Sequence, residues 1–140
     1  MKRILIIVLF TVGCTAHAES KEKVYSISTA TLPEAITTGS DAEFKLTITP
    51  NAPWVLKTTT PLKIILEASD GIALVKKKFS NKDIVDEKSD EESDAKSVKA
   101  PFKANARGQQ KINADLTFFL CTEEICQRYT DEAELSLQIN

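Results

Sequence analysis

Apolar and polar side chains alternate along much of the chain, which is the pattern of β-strands with one buried face. The clearest example is residues 111–120, where every second side chain is apolar. Residues 43–49 and 133–139 alternate in the same way. Shorter or weaker strands are predicted at residues 23–29, 62–68, 72–79 and 99–104.

Turn residues separate these predicted strands about every eight to twelve positions, as in a β-sandwich. Asp70-Gly71 is a dipeptide that closes hairpins, so the strands on either side of it are predicted to pair. No segment of the sequence shows a convincing helical period. We therefore predict an all-β fold, an antiparallel β-sandwich of about seven or eight strands.

The first 18 residues have the composition of a secretory signal peptide. Lys2 and Arg3 precede an apolar run of about nine residues, which is shorter than the roughly 20 that span a membrane. Residues 16–18 (Ala-His-Ala) then match the small-x-small pattern of a cleavage site. We expect cleavage near Ala18, a mature domain at residues 19–140 without a transmembrane segment, and a periplasmic or secreted location.

Cys14 leaves one alternative open for this N-terminal segment. Residues 11–14 (Thr-Val-Gly-Cys) partly resemble the motif at which bacterial lipoproteins are cleaved and acylated, although Thr11 stands where that motif has Leu, Val or Ile. In this alternative the mature protein is a lipoprotein attached to a membrane through Cys14.

Removal of residues 1–18 narrows the chemistry that is open to the mature domain. His17 is the only histidine, so we expect neither a Ser-His-Asp nor a Cys-His mechanism. Signal cleavage also removes Lys2 and Arg3 from the 18 basic side chains while all 20 acidic ones remain. The resulting acidic surface disfavours nucleic acid as a partner, and we expect no metal and no cofactor.

A charged stretch interrupts the strand pattern at residues 80–97. Residues 83–94 include seven acidic side chains, and serine and lysine fill most of the remaining positions. The stretch lacks the central glycine of an EF-hand loop and the apolar walls of a paired-carboxylate active site. We therefore predict a solvated, mobile acidic loop.

Cys121 and Cys126 carry the most distinctive chemistry of the mature chain. Four residues separate them, so a short loop can bring their Cβ atoms within the roughly 4 Å that a disulfide needs. One hypothesis is a structural bridge, although a closed loop of about six residues contributes only roughly 2 kcal/mol. The other hypothesis is exchange with partner thiols, where Glu123 and Glu124 disfavour a thiolate and Arg128 favours one. The residues alone leave both hypotheses open.

The C-terminal part of the chain has a recognisable order of elements. Residues 115–120 (DLTFFL) lead into Cys121, a short loop leads to Cys126, and an alternating strand at residues 135–139 follows. This order of elements resembles that of the N-terminal periplasmic domain of the thiol:disulfide interchange protein DsbD. Residues 48–54 give weaker support to the same resemblance. The resemblance spans about residues 24–139.

The resemblance implies an immunoglobulin-like sandwich that acts as an electron relay. One of Cys121 and Cys126 would attack the disulfide of an oxidised periplasmic partner, and the other would resolve the mixed disulfide. A membrane reductase would re-reduce the pair, here as a separate protein. Family members shield the pair with a cap loop, and by position Phe79 or Ile84 would be the covering residue.

These observations predict an exported domain for thiol:disulfide interchange through Cys121 and Cys126. If the chain is an enzyme, it is a thiol:disulfide oxidoreductase. The alternative is a periplasmic binding or adaptor sandwich with a purely structural disulfide, which would hold a partner at an edge strand or near Trp54. A carbohydrate-active enzyme would need two carboxylates in a cleft, and the predicted strand faces supply none.

Overall fold

A computed structural model describes residues 23–86 and 95–140, which are built almost entirely of β-strands. The strands are β1 (Tyr25–Leu32), β2 (Asp41–Pro50), β3 (Lys63–Ala68), β4 (Ile72–Leu74), β5 (Lys78–Phe79), β6 (Val85–Asp86), β7 (Lys96–Ala104), β8 (Gly108–Cys121) and β9 (Cys126–Ile139). One 3₁₀ turn, Asn81–Asp83, lies between β5 and β6. The predicted signal peptide, with cleavage near Ala18 or acylation at Cys14, lies outside the described residues.

The strands form two antiparallel sheets that enclose one hydrophobic core. The first sheet has the order β1-β2-β7-β4, with β6 also paired to β7. The second sheet has the order β5-β3-β8-β9. The predicted all-β sandwich is therefore confirmed, with nine strands in the described ranges where about seven or eight were expected. Across these same ranges, no helix has the length and apolar character needed to cross a membrane.

The core consists of side chains that alternate along the central strands of both sheets. Phe44 and Leu46 of β2, Phe102 of β7, and Leu116 and Phe118 of β8 are all at most 2% exposed. Because successive side chains of a strand point to opposite faces, the residues between them face outward. The alternation in the sequence therefore predicts correctly which face of β2 and β8 is buried.

The chain crosses between the sheets at Gly71, and the predicted hairpin at this turn is wrong. β4 pairs with β7 in the first sheet, and only β5 returns to pair with β3. The Ser69 hydroxyl donates a hydrogen bond of 2.6 Å to the Gln110 side chain of β8, and a Cβ atom on Gly71 would overlap the amide group of Gln110. The chain thus passes close to the Gln110 side chain of β8 as it leaves one sheet for the other.

The stretch predicted as a loop at residues 80–97 contains ordered elements at both ends. The Asp83 carboxylate accepts a hydrogen bond of 2.9 Å from the Ser80 N–H, which closes the 3₁₀ turn. β6 then pairs with Lys96 and Ser97 at the start of β7. Elements of two or three residues are too short to show a period in the sequence, so the prediction missed them. Residues 87–94 lie outside the described ranges.

Candidate functional site

Cys121 and Cys126 form a disulfide at the end of the β8–β9 hairpin. Their Sγ atoms are 2.04 Å apart and their Cα atoms are 4.0 Å apart. Cys121 is the last residue of β8, Cys126 is the first residue of β9, and the two are direct cross-strand neighbours. The structure thus brings together the two cysteines that the sequence analysis singled out.

A tight turn joins the two cysteines and brings charge close to them. The Thr122 N–H donates a hydrogen bond of 2.8 Å to the Ile125 carbonyl, and the Thr122 Oγ1 accepts one of 3.2 Å from the Ile125 N–H. Glu123 and Glu124 occupy the two positions in between, and both are exposed. The turn therefore places two carboxylates in solvent within a few residues of the disulfide.

Cys121 is held on its other side by residues from an earlier part of the chain. Its N–H and its carbonyl each form a hydrogen bond of 2.9 Å with the backbone of Val55. The backbone groups of Cys121 therefore point away from β9, and Cys121 and Cys126 form a non-hydrogen-bonded pair. In such pairs the side chains of an antiparallel ladder lie closest together.

The two cysteines differ strongly in exposure. Cys121 is 0% exposed, whereas Cys126 is exposed to solvent, as are Gln127 and Arg128 after it. The cause is position, since β8 is an interior strand of its sheet and β9 is an edge strand. A molecule that approaches the bridge from solvent therefore meets Cys126 first.

Four aromatic rings pack together next to the hairpin. Tyr129 of β9 stacks on Phe118 with 6.0 Å between ring centroids, and Trp54 meets the same Tyr129 edge-on at 6.2 Å. Tyr25 of β1 contacts Phe118 and Tyr129 edge-on at 5.0 and 5.3 Å. Because Trp54 precedes Val55, this packing also positions the segment that binds Cys121.

The Tyr25 hydroxyl connects the aromatic cluster to a carboxylate on β9. It donates a hydrogen bond of 2.8 Å to Oδ2 of Asp131, and Lys23 Nζ lies 3.3 Å from the same oxygen. Partial burial and the hydrogen bond to Asp131 raise the pKa of Tyr25 to about 12. Partial burial acts to raise the pKa of Asp131, but hydrogen bonds from Tyr25, the Glu132 N–H and Lys23 outweigh it and hold that pKa below 3.8.

We expect Tyr25→Phe to raise the pKa of Asp131, because the substitution removes one of the donors that stabilise the carboxylate. A depressed folded-state pKa contributes stability above the unfolded value of 3.8, and this contribution is lost as the pH falls through the folded-state pKa. The variant should therefore lose less stability than the wild type as the pH falls from 3.8 to the folded-state pKa of Asp131. NMR titration of the Asp131 carboxyl carbon measures the pKa, and acid unfolding measures the stability.

Tyr129→Phe is the matched control for this substitution, because it removes a hydroxyl from the neighbouring ring and leaves the bond between Tyr25 and Asp131 in place. The pKa of Asp131 should stay at its wild-type value in this variant. An unchanged Asp131 pKa in Tyr25→Phe would contradict the prediction and assign the shift to Lys23 and the Glu132 N–H alone.

Phe79 and Ile84, the residues expected to cap the cysteine pair, both pack in or against the hydrophobic core. Phe79 is 4% exposed and pairs with Ile64, which also pairs with Leu116 on β8. Leu116 is five positions before Cys121, or about 17 Å along a strand. Ile84 is half-buried and packs against the core after the 3₁₀ turn. The cap role of either residue stays a prediction.

The sequence analysis identified the cysteines but missed Tyr25, Tyr129 and Asp131. A usable signal was present, because the alternation of Leu135 and Leu137 continues backward through Asp131 to Tyr129 on the same face of β9. Tyr25 carried no such signal, since Phe118, Tyr129 and Asp131, which it contacts, lie more than 90 positions away in sequence. Within residues 23–86 and 95–140, no group of three or more histidine, cysteine or acidic side chains is placed to hold a metal ion.

The comparisons with known proteins add no family to these observations. A scan against protein-family models finds no matching family, and a search of curated proteins finds no match.

Proposed function

We propose that this chain is an exported thiol:disulfide interchange domain that acts through Cys121 and Cys126. The observation that carries the proposal is the unequal exposure of the two cysteines in one bridge, with Cys121 at 0% and Cys126 open to solvent. Exchange requires a thiolate to reach one sulfur of a disulfide, and access to that sulfur controls the rate. Cys126 is accordingly the residue that meets the partner, and Cys121 is the resolving residue.

The reaction consists of two exchange steps. The Cys126 thiolate of the reduced pair attacks a sulfur of the partner disulfide, and the second partner sulfur leaves as a thiolate with the electron pair of the broken S–S bond. The Cys121 thiolate then attacks the Cys126 sulfur, which re-forms the bridge and releases the first partner sulfur as a thiolate. Solvent takes up the protons of Cys121 and Cys126 and supplies those of the partner thiols, so two electrons pass to the partner.

The hairpin supports the second step by holding the two cysteines opposite each other. β8 and β9 each have 14 residues and pair along their whole length, and Val55 binds the backbone of Cys121 independently of the bridge. Loss of a bridge that closes only about six residues removes roughly 2 kcal/mol, so the reduced sandwich is expected to stay folded. Resolution by Cys121 is then a reaction within one preorganised molecule.

The proposed partners are periplasmic thiol/disulfide proteins, which accept electrons from the pair in their disulfide form, together with a separate membrane reductase that re-reduces the pair. The proposed location is the periplasm or the extracellular space, reached through cleavage of the signal peptide near Ala18. An oxidising compartment of this kind allows the Cys121–Cys126 bridge to form and persist.

We expect the reduction potential of the Cys121–Cys126 pair to lie above about −250 mV, among exchangeable pairs. The measurement is equilibration of the purified protein with a thiol redox buffer, followed by quantification of the free thiols. The double variant Cys121→Ser/Cys126→Ser is the control, since it should show no titration. A potential below about −300 mV would contradict the proposal and mark a structural bridge.

The second candidate is a binding or adaptor sandwich with a structural disulfide. The burial of Cys121 and the two hydrogen bonds between its backbone and Val55 favour this candidate, because buried structural cysteines are inert toward exchange. A binding protein of this kind should keep its partner affinity when both cysteines become serine. An interchange domain should lose its activity in the same variant while remaining folded.

A further inference from the structure

The edge of β9 next to the disulfide has backbone groups without a partner in the described part of the chain. β9 is the last strand of its sheet, and its only neighbour in that sheet is β8. A strand edge of this kind can accept an added strand from another polypeptide. Which residues of β9 are open follows from the register of the hairpin.

The outward backbone groups belong to Cys126, Arg128 and Thr130. Cys121 directs its N–H and carbonyl to Val55, so the Cys121–Cys126 pair exchanges no backbone hydrogen bonds. Hydrogen-bonded and non-hydrogen-bonded pairs alternate along an antiparallel ladder. Since the register continues without a bulge, Arg128 and Thr130 also direct their N–H and carbonyl groups away from β8.

Further along β9 the edge is interrupted. The Glu132 N–H donates a hydrogen bond of 2.9 Å to the Asp131 side chain, and the Asn140 N–H donates one of 3.0 Å to the Ile36 carbonyl. Carboxylates such as those of Asp131 and Glu132 also oppose strand pairing at an edge. The open stretch that begins at the exposed cysteine is therefore residues 126–130.

From this geometry we infer that the partner of Cys126 is a polypeptide whose cysteine lies in an extended segment, and that this segment pairs with β9 at residues 126–130. The inference rests on the proposed interchange function and names the class of partner. Pairing brings the partner cysteine beside Cys126, because directly opposed residues of adjacent strands have Cβ atoms about 4.5–5.5 Å apart. Small thiols and disulfides have no extended backbone that could pair with β9, so pairing does not accelerate their reaction with Cys126.

The test compares two disulfide probes on protein that is purified after expression of the full chain and then reduced. One probe is a short peptide of alternating threonine and valine around a single cysteine, held as a mixed disulfide with thionitrobenzoate. The other is the same mixed disulfide of cysteine itself. Attack by Cys126 on the cysteine sulfur of either probe releases thionitrobenzoate, whose absorbance measures the rate. Cys121 then re-forms the bridge and releases the peptide thiol or free cysteine.

We expect the peptide probe to react faster than the cysteine probe with the wild-type protein. Thr130→Pro removes one outward N–H and should lower the peptide rate about tenfold, while the rate with the cysteine probe stays unchanged. Ser136→Pro is the matched control, because its N–H also points outward from β9 but lies beyond the interruption at Glu132. A peptide with N-methyl groups on alternate residues should react at the rate of the cysteine probe, and this control needs no change in the protein.

Equal wild-type rates for the two probes, or equal slowing of both by Thr130→Pro, would overturn the inference and leave interchange by Cys126 intact. If neither probe reacts with the wild-type protein, the inference and the proposed function both fail. A wild-type dimer that Thr130→Pro dissociates would assign this edge to a second copy of the chain and would also overturn the inference.

Discussion

Cys121→Ser is expected to accumulate a stable mixed disulfide between Cys126 and a partner, whereas Cys126→Ser is expected to accumulate none. The thiol of Cys126, an exposed residue, still attacks the partner in the first variant, but no second thiol is present to resolve the product. In the second variant the remaining thiol belongs to Cys121, which is 0% exposed in the bridged protein. Turnover should fall roughly 100-fold or more in both, because an intramolecular resolving thiol acts at a high effective concentration.

Non-reducing electrophoresis and mass spectrometry of the trapped species measure this difference after exposure to a disulfide-bearing protein extract from the periplasm. Addition of excess dithiol should release the trapped partner and provides the control for a true disulfide. A stable adduct on Cys121 in Cys126→Ser, with none on Cys126 in Cys121→Ser, would reverse the assigned roles. Absence of an adduct in both variants would argue for the structural bridge.

Phe118→Ala is expected to destabilise the oxidised protein by about 3–5 kcal/mol, the usual loss for a buried phenylalanine. Phe118 is 0% exposed and lies between Tyr25, at 5.0 Å, and Tyr129, at 6.0 Å between ring centroids. Truncation therefore removes apolar contacts from both sheets and leaves a cavity beside the segment that carries the disulfide. Urea unfolding of wild type and variant at constant redox state measures the loss.

Phe119→Ala provides the matched control, since it makes the same chemical change one residue later on the opposite face of β8. Phe119 is only half-buried and pairs with the exposed Arg128, so its truncation should cost less than half as much. Equal losses at the two positions would contradict the assignment of the inner and outer faces of β8.

Arg128→Gln removes a positive charge near Cys126 and leaves the backbone groups of β9 in place. It therefore tests the effect of the charge apart from the inferred pairing of β9 with a partner strand. Arg128 is exposed and lies two residues after Cys126, so its side chain is on the same face of β9 as the cysteine. We expect a higher pKa for the Cys126 thiol in the reduced variant, because a nearby positive charge is lost while Glu123 and Glu124 remain. The pH dependence of thiol alkylation measures this pKa, and Glu134→Gln on the same strand is the control. An unchanged or lower thiol pKa in Arg128→Gln would contradict the prediction.

The sequence alone determined the fold class, the buried faces of the main strands and the identity of the cysteine pair. The alternation in residues 111–120 and 43–49 was sufficient for the faces, because the direction of a side chain in a strand depends only on the local backbone. The cysteines were identified because the predicted cleavage near Ala18 would remove His17, the only histidine. The predicted signal peptide at residues 1–18 likewise rests on local composition.

Only the tertiary structure decided how these parts meet. The chain crosses between sheets after Gly71 because β4 pairs with β7 of the other sheet, which is far away in sequence. Cys121 is buried because Val55 pairs with it on an interior strand, while Cys126 is exposed because β9 is an edge strand. Burial and pairing depend on contacts between residues far apart in the chain, and local patterns carry no information on such contacts.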